Sequence, residues 1–330
     1  VSVIYDDMSP SNINALIEYS FSTVIRMETH SSRMDTVLVT GATGTVGSRV
    51  VDRLTDRDVT VRAATRGPAD EQFQGDVEPV AFDFEKPETW GAAFGGVDAM
   101  FLVRPPAIAR VGDSMLPAID AGARVGVERI VLLSVLGAEQ NPLLPHRKIE
   151  KHLQHSDVAW TFLRASFFME NLPETHRREI VERGEIVVPA GDGETSFVAA
   201  DDVAAMAVAA LTESGHEHRA YDVTGPEALT YHEVARSLSA ALDSPVTYEA
   251  PSLARFVRHS RRLGRDWSFL LVMAALYTTA RLGLAGRVSD DVKRVLGRPT
   301  MSFREWAERN VTAFDPSADE PENNSLNGSE

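Results

Sequence analysis

The sequence predicts an α/β fold, a doubly wound parallel sheet with a smaller α+β lobe toward its C-terminus. Three observations lead there. An apolar β-branched run, Val37-Leu38-Val39, leads into glycines at Gly41, Gly44 and Gly47, and helical spacing follows from Ser48 to Leu54. Further apolar runs alternate with helical stretches of about a dozen residues, the pattern of strands buried on both faces of a parallel sheet. The 330 residues, 43% of them hydrophobic, suffice for one large domain or a domain with a small lobe.

A strand that delivers a tight glycine turn to a helix start is an anion site. Backbone N–H groups and the positive helix end face a pyrophosphate, and side chains at the glycines would block its approach. Gly41, Thr43, Gly44, Thr45, Val46 and Gly47 are therefore expected to hold a dinucleotide. The second strand, from Asp58, ends at Arg66-Gly67. An acid at that place accepts from the ribose 2′-OH of NAD, whereas an arginine pairs with the 2′-phosphate of NADP. Arg66 stands there with Arg62 nearby and no acid before Asp70, so NADP(H) is preferred over NAD(H).

The third strand, Glu78–Phe82, places Asp83 and Phe84 where an adenine edge would lie, and a helix is expected from Pro87 to Phe94. The fourth, Asp98–Val103, ends in Arg104-Pro105-Pro106; the prolines force an extended turn, and Arg104 has equal claims to a pyrophosphate or substrate contact and to the surface. A helix from about Val111 to Gly126 precedes the fifth strand, Arg129–Ser134, whose last residue reaches the ligand end. This order is that of a Rossmann-type sheet.

The composition bounds the partners. No cysteine is present, which excludes disulfides, thiolate metal sites and cysteine nucleophiles. The net charge is −15, and only Lys86, Lys148, Lys151 and Lys293 among 33 basic residues are lysine. Such a surface disfavours nucleic acid. It suits solubility in concentrated salt, as in a halophile, although a GC-rich genome produces the same arginine bias. Residues 1–33 lack the pattern of a secretory signal, so a cytoplasmic location is expected, with native synthesis beginning near Met34 or Met27 and the preceding stretch an extension. The acidic tail, 315–330, reads as disordered.

The region after the fifth strand carries a resemblance. The helix His146–Leu153, the run Trp160-Thr161-Phe162-Leu163-Arg164-Ala165-Ser166-Phe167-Phe168-Met169-Glu170-Asn171-Leu172, then Phe197–Ala204, Tyr221–Glu227 and Gly297-Arg298-Pro299 with Ser302-Phe303 occur in order. Together they resemble the NmrA-like branch of atypical short-chain dehydrogenases, from about Thr36 to Phe314. The resemblance implies either an NADPH-dependent reductase of a quinone-like acceptor or a non-catalytic NADP(H) sensor, with a homodimer or a regulatory protein as partner. It also implies that Phe167, Phe168, Met169 and Asn171 wall the acceptor, a run equally suited to the core.

The tyrosine that usually protonates a carbonyl in this superfamily, four residues before a lysine, is missing: no tyrosine here has that spacing. His146 stands where relatives often carry lysine, four residues before Glu150. It is the candidate catalytic residue, through the nicotinamide ribose or a proton, with an exposed helix-start histidine as the bland alternative.

The C-terminal lobe is expected over 184–314. Residues 184–198 read as strand, loop and strand, Asp201-Asp202 as N-cap acids, and Thr230–Glu233 as a capping box. The arginine-rich stretch Ser252–Gly264 is expected to meet the protein's own acidic face, an anionic substrate or a membrane surface. Trp267–Gly286 is too short for a transmembrane span and reads as a buried or lid helix.

Overall fold

The computed structural model describes residues 35–67 and 73–315. The expectations for the N-terminal extension, for Asp70 and for the tail beyond Asp315 lie outside the described residues.

Seven strands form one parallel sheet. β1 (Asp35–Val39) is followed by α1 (Gly47–Leu54), and β2 (Val59–Thr65) by β3 (Val77–Ala81). Next come α2 (Trp90–Phe94), β4 (Ala99–Val103), α3 (Met115–Val125), β5 (Arg129–Val135), α4 (Pro145–Gln154) and β6 (Ala159–Ala165). The sheet order is β3-β2-β1-β4-β5-β6 and then the edge strand β10 (Arg219–Val223), so the winding reverses between β1 and β4. Ligands bind beyond the carboxyl ends of strands at such a switch point.

Successive side chains of β1 serve opposite cores. Val37 and Val39 pack with Val50, Val51 and Leu54 of α1 and with Val203 and Leu211 of α6 (Ala200–Thr212), whereas Leu38 packs with Ile119 of α3 and Ile149 of α4. This period-2 alternation, apolar on both faces, is why the strands read as continuous hydrophobic runs.

After β6 the chain builds its remaining elements. β7 (Phe167–Phe168) leads into α5 (Asn171–Arg183), β8 (Glu185–Val187) and β9 (Glu194–Val198). β11 (Ala228–Thr230), α7 (Tyr231–Leu242) and β12 (Thr247–Glu249) follow β10, and the helices α8 (Leu253–Arg262), α9 (Trp267–Arg281), α10 (Asp291–Leu296) and α11 (Phe303–Arg309) complete the set. A third core gathers Met169, Phe197, Tyr231, Phe256, Tyr277 and Trp306. The strands β8 and β9 do not pair with each other: β8 joins β12, and β9 joins β7 and β11.

Local chemistry bears out some expectations and corrects others. The Thr230 hydroxyl accepts from the Glu233 N–H while the Glu233 carboxylate accepts from the Thr230 N–H, a complete capping box. Asp201 and Asp202 are not caps. Ala199 holds the N-cap position of α6 without a side-chain bond, and the two acids sit in the first turn, where they suit the helix dipole. Asp202 accepts the Met301 N–H at 2.7 Å and meets Arg298 at 2.7 Å, so it anchors the C-terminal segment. Pro87–Phe94 splits into a 3-10 turn and the short α2. Only one face of α9 is buried, so of the expected buried or lid helix the fully buried form is corrected.

The approach of α1 to β1 requires glycine. A Cβ on Gly47 would lie 2.0 Å from the Gly41 carbonyl oxygen, and Gly41 itself has φ +64°. We expect Gly47→Ala to cost about 2 kcal/mol of stability, as overpacking against backbone does. Thermal and denaturant unfolding would show it; a variant as stable as the parent would mean that α1 can lift off β1 freely.

Candidate cofactor and acceptor site

The switch point is pinned by one side chain. Thr40, just past β1, donates its hydroxyl to the Phe101 carbonyl at 3.0 Å and accepts the Val103 N–H at 2.8 Å, which locks β1 to β4. The turn beyond it exposes Gly41, Thr43 and Gly44. The Gly44 N–H donates to the Gly41 carbonyl at 2.9 Å, but among the described residues no backbone carbonyl receives the N–H groups of Thr45 or Val46. Val46 keeps its side chain in the core and leaves only its backbone to the turn. Unpaired N–H groups at an open helix start, on a turn that side chains would fill, fit a pyrophosphate. The Thr45 hydroxyl donates to Glu174 of α5 at 2.6 Å, which ties the turn to that helix.

Around this turn the predicted residues separate into available and committed groups. Arg66 is exposed directly after β2. Arg62 is spent: it meets Glu78 at 3.1 Å and donates to the Ala93 and Gly95 carbonyls. Asp83 holds the Glu85 N–H at 2.9 Å, and the Phe84 ring is buried edge-on against Phe82, so Phe84 offers only its backbone to an adenine.

Arg104 does not reach outward as expected. Its guanidinium donates to the carbonyls of Pro105, Pro106 and Ile108 and, through Nε, to His146 Nε2 at 3.4 Å. Burial first, and then the adjacent Arg104 charge, push His146 down to about 4. At neutral pH the ring is uncharged. With Nε2 accepting from Arg104, its proton sits on Nδ1, and there is no imidazolium to act as the acid that the sequence allowed.

Ser134 is also committed. Its buried hydroxyl donates to Glu150 Oε1 at 2.8 Å rather than to a ligand. Glu150, fully buried on α4, receives two bonds from Arg164 of β6, both 3.0 Å, and one from Arg147 at 2.9 Å. Arg164 continues to Glu139 at 3.3 Å, Glu139 to Arg287 at 3.0 Å, and Arg287 to Asp222 at 3.2 Å. Phe167, Phe168 and Asn171 are half-buried, and Met169 is fully buried in the third core. Phe167 packs against that same core and Phe168 against the core of α1 and α6, so the run makes the core contacts that its sequence equally allowed.

A profile of the NAD(P)H-binding family matches residues 41–214. The chain belongs to that family. The NAD(P)H azoreductase of Xenophilus azovorans is 38% identical over 284 residues, 84% of this chain and 99% of the relative. Citrobacter sp. triphenylmethane reductase, solved with NADP(H), matches with a TM-score of 0.74 at 25% identity, covering 84% of this chain and 99% of that one. The NADPH-dependent quinone oxidoreductase of Escherichia coli, solved with NADPH, gives 0.75 at 26%, covering 83% and 99%. The chain is thus an NAD(P)H-dependent oxidoreductase.

A concavity of about 1010 Å³ lies elsewhere on this oxidoreductase, at the amino ends of β1, β4, β5 and β6 among Asp35, Ala99, Arg129 and Ala159. It contains none of the candidate residues, and the switch point, not cavity size, locates the site. What sequence reading missed was Thr40, the Glu150 cluster and Glu174. Thr40 and Glu174 act through partners 61 to 129 residues away, and Glu150 through Arg164 and Ser134 on neighbouring strands 14 and 16 residues away, which no local spacing reveals.

Two measurements test this electrostatic reading. Removing the carboxylate in Glu150→Ala leaves Arg147 and Arg164 short of a buried counter-charge and should cost about 3 kcal/mol, read by denaturant unfolding. Burial also holds His176, with Arg265 and His259 as further causes, down at about 3. Unfolded histidine titrates near 6.5, so the stability contributed by neutral His146 and His176 is present above about pH 6.5 and is lost as pH falls toward 4. Melting temperature should fall across that window and fall less steeply in His146→Gln; an identical slope in the variant would contradict the buried neutral ring.

Proposed function

We propose that this oxidoreductase uses NADPH to reduce a flat, conjugated acceptor, a quinone or an azo compound, without a tyrosine proton donor. The observation that carries the acceptor class is the pair of half-buried phenylalanines in β7, immediately beyond the carboxyl end of β6, where this fold receives its ligand. The relatives support it, since two of them reduce azo compounds and quinones by name.

Bound NADPH supplies a hydride. The chain's own residues bind and orient: the 41–47 turn offers N–H groups to the pyrophosphate, Arg66 offers a guanidinium to the 2′-phosphate, and the Nδ1–H of neutral His146 is a hydrogen-bond donor toward the ribose. Phe167 and Phe168 hold the acceptor flat, with Asn171 at their edge. A hydroquinone anion is a tolerable product that water protonates, so positioning is the main demand on the protein. The acid-rich, lysine-poor surface supports work in concentrated salt.

The test is NADPH oxidation against a quinone, an azo dye and a simple ketone, in dilute buffer and in multimolar potassium chloride. Turnover is expected with the first two and not the third. NADPH binding without turnover anywhere would instead favour the redox sensor. Arg66→Ala should weaken NADPH at least about tenfold in a fluorescence titration, the loss of a charge-assisted contact, and leave NADH unchanged. Equal losses for both cofactors would sink the 2′-phosphate assignment.

A further inference from the structure

The helices α8 and α9 carry a surface unlike the rest of the chain. Between Asp266 and Arg281 there is no charged residue. Leu270, Met273, Tyr277 and Ala280 on one side of α9 are buried in the third core. On the other side Trp267, Leu271, Val272 and Leu276 face outward, continued by Leu282 and Leu284; Leu271 is 70% exposed and Leu284 69%. A contiguous apolar face of this kind is a binding surface rather than scattered exposure.

Arginine borders it at both ends. Across 252–289 stand seven arginines and one acid, Asp266, in a chain whose net charge is −15. Arg258, Arg261 and Arg262 are exposed on α8, and the Arg261 guanidinium lies 5.2 Å from the centre of the Trp267 ring. Arg281 is exposed at the far end of α9. Among the described residues, Arg255 alone of the α8 arginines meets an acid in an ion pair, Glu249 at 3.2 Å.

We propose that this face docks on an anionic lipid surface, with α9 lying in the interface and the arginines on headgroup phosphates. An apolar helix face rimmed by arginine, with tryptophan beside the cations, has the chemistry of such a contact. Spanning is excluded by length: α9 has 15 residues, roughly 22 Å of helix against roughly 30 Å of hydrocarbon, and no helix among the described residues is long and apolar enough to cross a membrane. A second copy fits less well. Both ends of α9 carry arginine, so pairing it with itself in either direction brings like charges together. The acidic remainder keeps the other faces off the same lipid and orients the protein. Tyr277, on the buried side of α9, has its ring 6.3 Å from that of Phe167, so the docked helix lies one side-chain layer from the phenyl wall. The lipid contact does not rest on the acceptor assignment.

Flotation of the full chain with phosphatidylglycerol-rich and with pure phosphatidylcholine vesicles tests it, in 0.2 M and 2 M potassium chloride. Binding to the anionic vesicles at 0.2 M should exceed that to the neutral ones at least tenfold and weaken in 2 M salt. Leu271→Asp with Leu276→Asp should abolish it, and Arg258→Glu with Arg262→Glu should reduce it at least tenfold, while NADPH binding stays intact in both. No flotation, equal flotation on both lipids, or full binding by either variant overturns the proposal. So does a concentration-dependent dimer that the leucine variant dissolves in the absence of vesicle binding.

Discussion

A carboxylate with no access to water is the constraint on which the carboxyl ends of β5 and β6 depend. Glu150 has 0% exposure, and a bare buried charge would cost several kcal/mol. The chain meets that cost by converging on it from three elements, with Arg164 from β6, Ser134 from β5 and Arg147 one turn back on α4. The consequence is positional. Two bonds from one planar guanidinium fix Arg164 in direction as well as place, and Arg164 is three residues before Phe167. The same α4 turn that presents Glu150 presents His146, so histidine and phenyl wall are both indexed to one buried charge.

The fold was legible because its determinants are local. Apolar runs of strand length, glycines in a turn and a threonine–glutamate capping box each sit within a dozen residues, and physical chemistry gives each a small set of conformations. The site was half legible. Backbone groups of the 41–47 turn are specified by their own sequence, and so is the place of Arg66 after β2. Side chains whose roles depend on distant partners were not. Ser134 reads as a residue at the ligand end of β5 until Glu150 takes its hydroxyl, and Arg104 reads as a free cation until three carbonyls and His146 take its donors. Phe167 and Met169 pack on one core and Phe168 on another, and a two-residue strand carries too little pattern to tell which residue goes where.

His146 shows how the same kind of commitment changes chemistry. A helix-start histidine in water titrates near 6.5 and is a ready acid. Beside Arg104 and half-buried it is neutral, and what remains is a ring with one donor. Such a group orients rather than protonates. That agrees with a chain that lacks the tyrosine–lysine pair, and with acceptors whose reduced form survives without a protein acid.

The acceptor wall is also tied to the sheet from outside. β7 pairs with β9, the Ala285 carbonyl accepts the Ser196 N–H of β9 at 2.9 Å, and two residues later Arg287 reaches Glu139 and Asp222. Ser289 then donates its N–H to Thr224 at 3.0 Å, and Asp291 accepts that of Asp222 at 2.8 Å. Residues 285–291 therefore lace the strand behind the phenyl wall to the edge strand β10, and through Glu139 to Arg164. This lacing follows α9 directly in the chain. The half-exposed helix and the buried Glu150 cluster are two ends of one connected frame, with β7 and β9 between them.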